Sequence, residues 1–198
     1  MAMKPYCSGG LEDRELLAAA GQHELHREDI TPIICNEPLA PLAALGGAEA
    51  TASKQLAVDC IRRVQQEYEL LLVEGIGGIE VPLAPQYTIG NLIAELDTPA
   101  LIVGQNRLGT LNHVLLSLHR LQALTGKQSP VALMEEPEPD LAAASNLGTL
   151  RETLPGIQVT SIQDLGLHAS FEEALWDNEK KIRKSLVQLT EWVNVVLS

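Results

Sequence analysis

The sequence predicts an α/β fold, a mostly parallel sheet with flanking helices, and three observations carry that prediction. Short apolar runs recur at a spacing of about thirty residues. Segments with helical periodicity lie between them. One run, Leu70 to Val73, ends in Glu74 and the loop Gly75-Ile76-Gly77-Gly78, an acidic residue and glycines where a strand stops. Strands alternating with helices imply βαβ units, and ligands in such sheets bind beyond the carboxyl ends of the strands.

The runs are Leu70 to Val73, Ala100 to Val103, Val131 to Met134 and Ile157 to Thr160. Over 53–68, Leu56, Cys60, Ile61, Val64 and Tyr68 share one helical face, with Ser53 as an N-cap. Over 110–124, Val114, Leu115, Leu118 and Leu121 do the same, with Thr110 or Asn112 near the start. A last helix over roughly 171–197 carries Leu175, Ile182, Leu186, Leu189, Val193 and Val196 along one stripe. The segment 29–47, rich in Pro and Asn, reads as a loop leading into a short helix, and 134–140 as an exposed acidic turn. Nothing resembles a linker or a repeat, so residues 1–198 are expected to form one domain.

A hydrophobic content of 45% with 20% charged residues describes a globular chain, not a disordered one. Aromatics make up only 3%, so the core must be Leu, Val, Ile and Ala. A net charge of −12 argues against a nucleic-acid surface and against docking on acidic lipid. Cys7, Cys35 and Cys60 show no CxxC spacing, which fits free thiols in a reducing compartment. With no signal peptide and no bilayer-length apolar run, the expected location is the cytoplasm.

Four segments carry chemistry. Glu74 and its glycines read equally as a magnesium and anion site or as a tight turn with a solvated glutamate. Lys4-Pro5-Tyr6-Cys7-Ser8-Gly9-Gly10, followed by Glu12-Asp13, could hold an anionic reaction, although composition favours a frayed terminus. Arg107 to His113 leads from a strand end to a helix start, a ready anion site, but an ordinary loop with a polar cap explains it better. Gly126-Lys127 fails the phosphate-loop pattern G-x-x-x-x-G-K-[ST], since position 121 is Leu and position 128 is Gln.

In order and spacing these segments resemble the dethiobiotin synthetase family, a P-loop NTPase-like fold. Its Lys-Pro-x-x-[Ser/Thr]-Gly segment is similar to Lys4 to Gly9, and the acidic residue that follows is similar to Asp13. Its Pro-rich loop resembles Asn36 to Pro41, and its Val-Glu-Gly-x-Gly-Gly-x-x-x-Pro-Leu signature is matched by Val73 to Gly78 with Pro82 and Leu83. Its Leu-Gly-x-[Ile/Leu]-Asn-His segment is matched by Leu108 to His113. The resemblance implies ATP-dependent closure of a ureido ring on 7,8-diaminononanoate with carbon dioxide, in biotin biosynthesis. Carried over, Lys4 is the catalytic cation and Ser8 contacts substrate. Asp13 and Glu74 hold Mg2+. Gly75, Ile76 and Gly77, and further along Gln163, Asp164 and Leu165, contact the nucleotide. A homodimer is implied, with Leu108 to His113 serving a pocket partly built by the neighbour.

The departures are as definite. In the family, a strand and a glycine-rich P-loop precede the Lys-Pro segment, whereas this chain reaches Lys4 at once. The expectation is therefore a fold missing the first strand and P-loop, with unpaired sheet edges and little ligase activity. The alternative is a non-catalytic binding or regulatory module without a P-loop. The family usually has an adenine-reading Asn after its later strand, where this chain has Leu133-Met134-Glu135, and Ile162-Gln163-Asp164-Leu165 replaces an Ile-Pro-x-Leu.

Overall fold

The computed structural model describes residues 1–21 and 24–164, together with residues 183, 187, 190 and 191. They cluster into two compact units, Met1–Leu96 and Asp97–Ser198. Leu165 and nearly all of the expected helix over 171–197 lie outside the described residues.

In the first unit, β1 (Ala2–Met3) and β2 (Tyr6–Ser8) form one extended stretch interrupted at Pro5, which has no N–H to donate. β1 pairs in parallel with β4 (Leu72–Val73), Met3 opposite Val73. β2 pairs in parallel with β3 (Ile33–Cys35), Ser8 opposite Cys35. The Met3–Lys4 peptide group bonds on both sides: its Met3 carbonyl accepts from Glu74 N at 2.8 Å, while its Lys4 N donates to the Ile30 carbonyl at 2.9 Å. The stretch 2–8 is thus an inner strand, with Met3, Tyr6 and Cys7 almost fully buried. This corrects the frayed-terminus expectation. A run holding one Lys and one Pro looks polar in composition, yet every second backbone group is paired.

Around it stand α1 (Glu12–Ala20), α2 (Arg27–Ile30), α3 (Pro41–Leu45) and α4 (Gly47–Val64). The unit closes with a hairpin, β5 (Pro82–Ala84) and β6 (Tyr87–Thr88), and α5 (Ile89–Leu96). α4 buries Ala50, Ser53, Ala57, Val58, Cys60, Ile61 and Val64, the spacing of a helix face against the core of Met3, Tyr6, Ile30, Ile33 and Leu83. Two expectations change here. Ser53 is not a cap but a buried residue of the second turn, its hydroxyl donating to the Ala50 carbonyl at 2.9 Å. Leu56 lies just off the buried arc and is exposed. Residues Gly47 to Ala52 extend the helix without any large apolar marker in sequence.

The second unit is built on a three-stranded parallel sheet in the order β7 (Ile102–Gln105), β8 (Val131–Met134), β9 (Val159–Ile162). α6 (Thr110–Thr125) follows β7, and α7 (Ala143–Thr153) follows β8. α6 buries Val114, Leu118 and Leu121 as the periodicity requires, with Leu115 partly covered. It ends at Gly126, whose φ of 70° gives the left-handed turn that terminates many helices. Gly126-Lys127 is therefore a helix end, and Lys127 Nζ reaches back to Asp97 Oδ1 at 2.6 Å. The strand bounds shift from the apolar runs. β7 extends through Gly104 and Gln105 because they pair with Leu133 and Met134, and β9 starts only after a turn in which Ile157 N donates to the Leu154 carbonyl.

The mostly parallel α/β architecture thus holds, with the hairpin as its one antiparallel pair among the described strands. β8, paired on both sides, buries Val131, Ala132 and Leu133 completely. Among the described residues, β4 and β7 have one partner strand each, and Leu72 (57%) and Val103 (58%) stay exposed there.

Candidate active site

Lys4 lies where β1 gives way to β2, and the β1–β4 register decides what it meets. Glu74 is the first residue beyond β4, and its N–H on the Met3 carbonyl sets it beside Lys4. Asp13 comes from the first turn of α1, where a carboxylate is favoured by the helix dipole. Lys4 Nζ donates to Glu74 Oε1 at 2.8 Å and also to Asp13 Oδ2. The lysine is buried (9% exposed), while both carboxylates are half open to solvent. Burial works against the ammonium, but the hydrogen bonds and charges of Asp13 and Glu74 outweigh it and hold the Lys4 pKa above its ordinary value. The result is a fixed cation with two hard oxygen ligands facing outward.

Ser8 ends β2, with Gly9 N bonded to the Cys35 carbonyl at 3.1 Å immediately beyond it. Gly75, Ile76 and Gly77 follow Glu74 in the loop. Gly77 has a φ of 64°, and a Cβ on Gly75 would meet Ile89 at 3.3 Å. Both glycines thus have a local reason to be there, whatever they bind. Lys4, Asp13 and Glu74 are brought into direct contact. Ser8 and the loop 75–77 stand at strand ends of the same unit.

Gln163 and Asp164 belong to the second unit, just past the carboxyl end of β9. Leu165, the third residue expected there, falls outside the described ones. At the neighbouring strand ends lies a network that the sequence reading passed over. Asn106, buried just past β7, donates through Nδ2 to Glu135 Oε2 at 2.8 Å and to the Ala143 carbonyl at 3.1 Å. Its Oδ1 accepts from Asn146 Nδ2 at 3.0 Å, which also reaches the Arg107 carbonyl. Asp140 accepts from Leu108 N at 2.6 Å and from Ala143 N at 2.9 Å, and these backbone donors hold its carboxyl below the usual range. The loop before α6 is therefore already supplied with an anion, which favours the ordinary-loop reading of Arg107 to His113. Only the Asp140 position, three residues before Ala143, could have been found by eye, as a helix-start signal.

Among the described residues no cluster of three or more His, Cys, Asp or Glu surrounds a metal position, and no helix is long and apolar enough to cross a membrane.

Comparison with known proteins places these residues in context. The family described as "AAA domain" matches residues 2–164. A protein of Bacillus velezensis named ATP-dependent dethiobiotin synthetase BioD is 30% identical over 203 residues, covering 95% of this chain and 83% of the relative. A protein of the same name from Bacillus licheniformis is 35% identical over 152 residues, 70% of this chain and 65% of its own length. A third, from Bacillus subtilis, is 35% identical over 126 residues, 61% of this chain and 54% of its own. The chain thus spans between about half and two thirds of the length of the last two relatives.

Proposed function

The chain belongs to the dethiobiotin synthetase family, and from that premise we propose that it serves ATP-dependent closure of the ureido ring of dethiobiotin in biotin biosynthesis. The substrate in this reading is 7,8-diaminononanoate. The observation that carries it is Lys4, a buried ammonium fixed between two half-exposed carboxylates.

The chemistry needs such a cation. One amine of the substrate adds to carbon dioxide and loses a proton, giving a carbamate. A carbamate oxygen takes the γ-phosphoryl group of ATP and ADP leaves. The second amine then attacks the carbamate carbon, phosphate leaves, and the ring closes. Negative charge develops at each stage, and Lys4 is placed to stabilise it without reorganising. Ser8, at the end of β2, orients the carbamate by a hydrogen bond.

Asp13 and Glu74 suit Mg2+, since both are hard oxygen donors. One oxygen of each faces Lys4, and the other has no protein donor among the described residues. Bound there, Mg2+ would supply charge neutralisation to the nucleotide phosphates. Gly75, Ile76 and Gly77 line that side. Gln163, Asp164 and Leu165 contact the nucleoside. We further propose a cytoplasmic homodimer.

The 198 residues contain no G-x-x-x-x-G-K-[ST] sequence. A second reading is a P-loop-less binding or regulatory module with little turnover of its own. Ring closure is assayed with diaminononanoate, bicarbonate, Mg2+ and ATP. The chain alone is compared with the chain fused to the strand and P-loop of a relative. Turnover by the fusion, lost on Lys4→Ala, supports the ligase. An inert fusion favours the binding module.

A further inference from the structure

Lys4 is held at both ends, and the anchor at its base has no part in the chemistry assigned so far. β1 pairs with β4 and β2 with β3, so the chain changes partner strand at Lys4–Pro5. The Lys4 N–H still finds a carbonyl, that of Ile30 at 2.9 Å, and the Pro5 carbonyl accepts from Ile33 N at 3.1 Å. The Lys4 carbonyl between them falls off both ladders. It accepts from the Thr31 hydroxyl at 2.8 Å instead of from a backbone N–H.

Thr31 owes this contact to its place in the chain. It caps the end of α2, where its own N–H bonds the Arg27 carbonyl at 3.0 Å, and Pro32 after it favours extended backbone. It is 2% exposed, which leaves little room for water to compete for the hydroxyl. A hydroxyl has one proton to give. With that proton on the Lys4 carbonyl, Thr31 Oγ1 is left to accept from its other neighbour, the Cys7 thiol at 3.8 Å. The donors therefore run from Cys7 to Thr31 to Lys4, and all three residues are buried.

We propose that Thr31 is a positioning residue for ring closure, its hydroxyl fixing the backbone from which the Lys4 ammonium projects. Asp13 and Glu74 hold the tip of that side chain, but both are half in water and both also serve Mg2+ in the proposed reaction. The buried Thr31 contact keeps the same origin for the ammonium whatever those carboxylates bind. Lysine carries its charge on a flexible four-carbon stem, which magnifies any turn of the backbone beneath it. A displacement of about 1 Å at a reacting group costs on the order of 10²-fold in rate. The inference rests on the reading of Lys4 as the catalytic cation, and it adds the residue that aims it.

The test joins two measurements. In the 15N-lysine-labelled chain at mildly acidic pH, NMR reads the Lys4 ammonium, assigned by its loss in Lys4→Met. Thr31→Val, which keeps the shape and removes the donor, should shift that resonance. Lys54 and Lys127, paired with Glu95 and Asp97, should not move. In the fusion that carries a P-loop, the same variant should lower kcat at least about tenfold with KM for ATP within about twofold, the mark of a misaimed group. Thr31→Ser should restore both readouts. Thr31→Ala removes the hydroxyl without setting a methyl against the carbonyl, and replaces Thr31→Val should that variant not fold. A folded variant without the hydroxyl that keeps the parent's Lys4 resonance and kcat overturns the inference and leaves the ring-closing reading standing. So does a Thr31→Ser protein as impaired as Thr31→Val. A parent fusion with no turnover overturns the ring-closing reading, and the part of Thr31 in it.

Discussion

Two polar clusters stand at the ends of parallel strands, Lys4–Asp13–Glu74 in the first unit and Asn106–Glu135–Asn146 in the second, and they are built on opposite plans. In the first, a buried cation is held by carboxylates that remain half in water. Its partners keep hydration and can exchange the lysine for other ligands. In the second, the inner groups are neutral amides, 1% and 2% exposed, that bond one another, the Ala143 and Arg107 carbonyls and the Glu135 carboxylate. A satisfied neutral network of this kind fixes geometry. The first cluster is suited to a reaction in which charge moves, and the second to holding one acceptor still.

Substitutions should separate the two plans. The largest effect expected is on turnover. In the fusion that carries a P-loop, Lys4→Ala should lower ring closure by roughly 10²–10³-fold, the scale of losing a preorganised charge at a transition state. Glu74→Gln should also impair Mg2+-dependent turnover while the denaturation midpoint barely moves. A Glu74→Gln protein that loses folding but keeps its turnover would make the first cluster structural.

Next comes stability. Asn106→Leu should cost about 2–4 kcal/mol in urea denaturation, because Asn146, the Glu135 carboxylate and the Ala143 carbonyl lose a partner. Lys4→Met should cost about 1 kcal/mol, since its partners return to water. If Lys4→Met proved the costlier of the two, the contrast would collapse.

The smallest effect is in pH dependence. Partners that raise the folded-state pKa of Lys4 above 10.5 contribute stability that is full below the unfolded value and is lost as pH rises through the folded one. The stability gap between the parent chain and Lys4→Met should therefore be constant near neutrality and shrink above pH ~10.5. Titration of Tyr6 and Tyr87, both raised by burial, cancels in that difference. Asn106→Leu should show no such trend.

How much of this could be read from the chain follows the same division. Glu74 was legible because an acidic residue between an apolar run and glycines is a pattern, and α6 because Val114, Leu118 and Leu121 repeat with the helical period. Lys4 and Asp13 were legible by family resemblance, since composition alone pointed to a loose end. Ile33–Cys35 went unread because a three-residue strand among prolines and asparagines has no period to detect. Asn106 and Asn146 were silent for a different reason. They lie 40 residues apart, and an asparagine looks the same in sequence whether it caps a turn or locks a carboxylate. Exposed Leu72 and Val103 show the converse limit: an apolar strand in sequence does not say how many neighbours it has.

The most direct test of the central claim, that Lys4 between Asp13 and Glu74 is the carbamate site, is 13C NMR of labelled bicarbonate with 7,8-diaminononanoate and the purified chain. The account predicts a carbamate resonance stabilised by the parent protein and absent with folded Lys4→Met. An equally strong carbamate signal in the presence of Lys4→Met would contradict it.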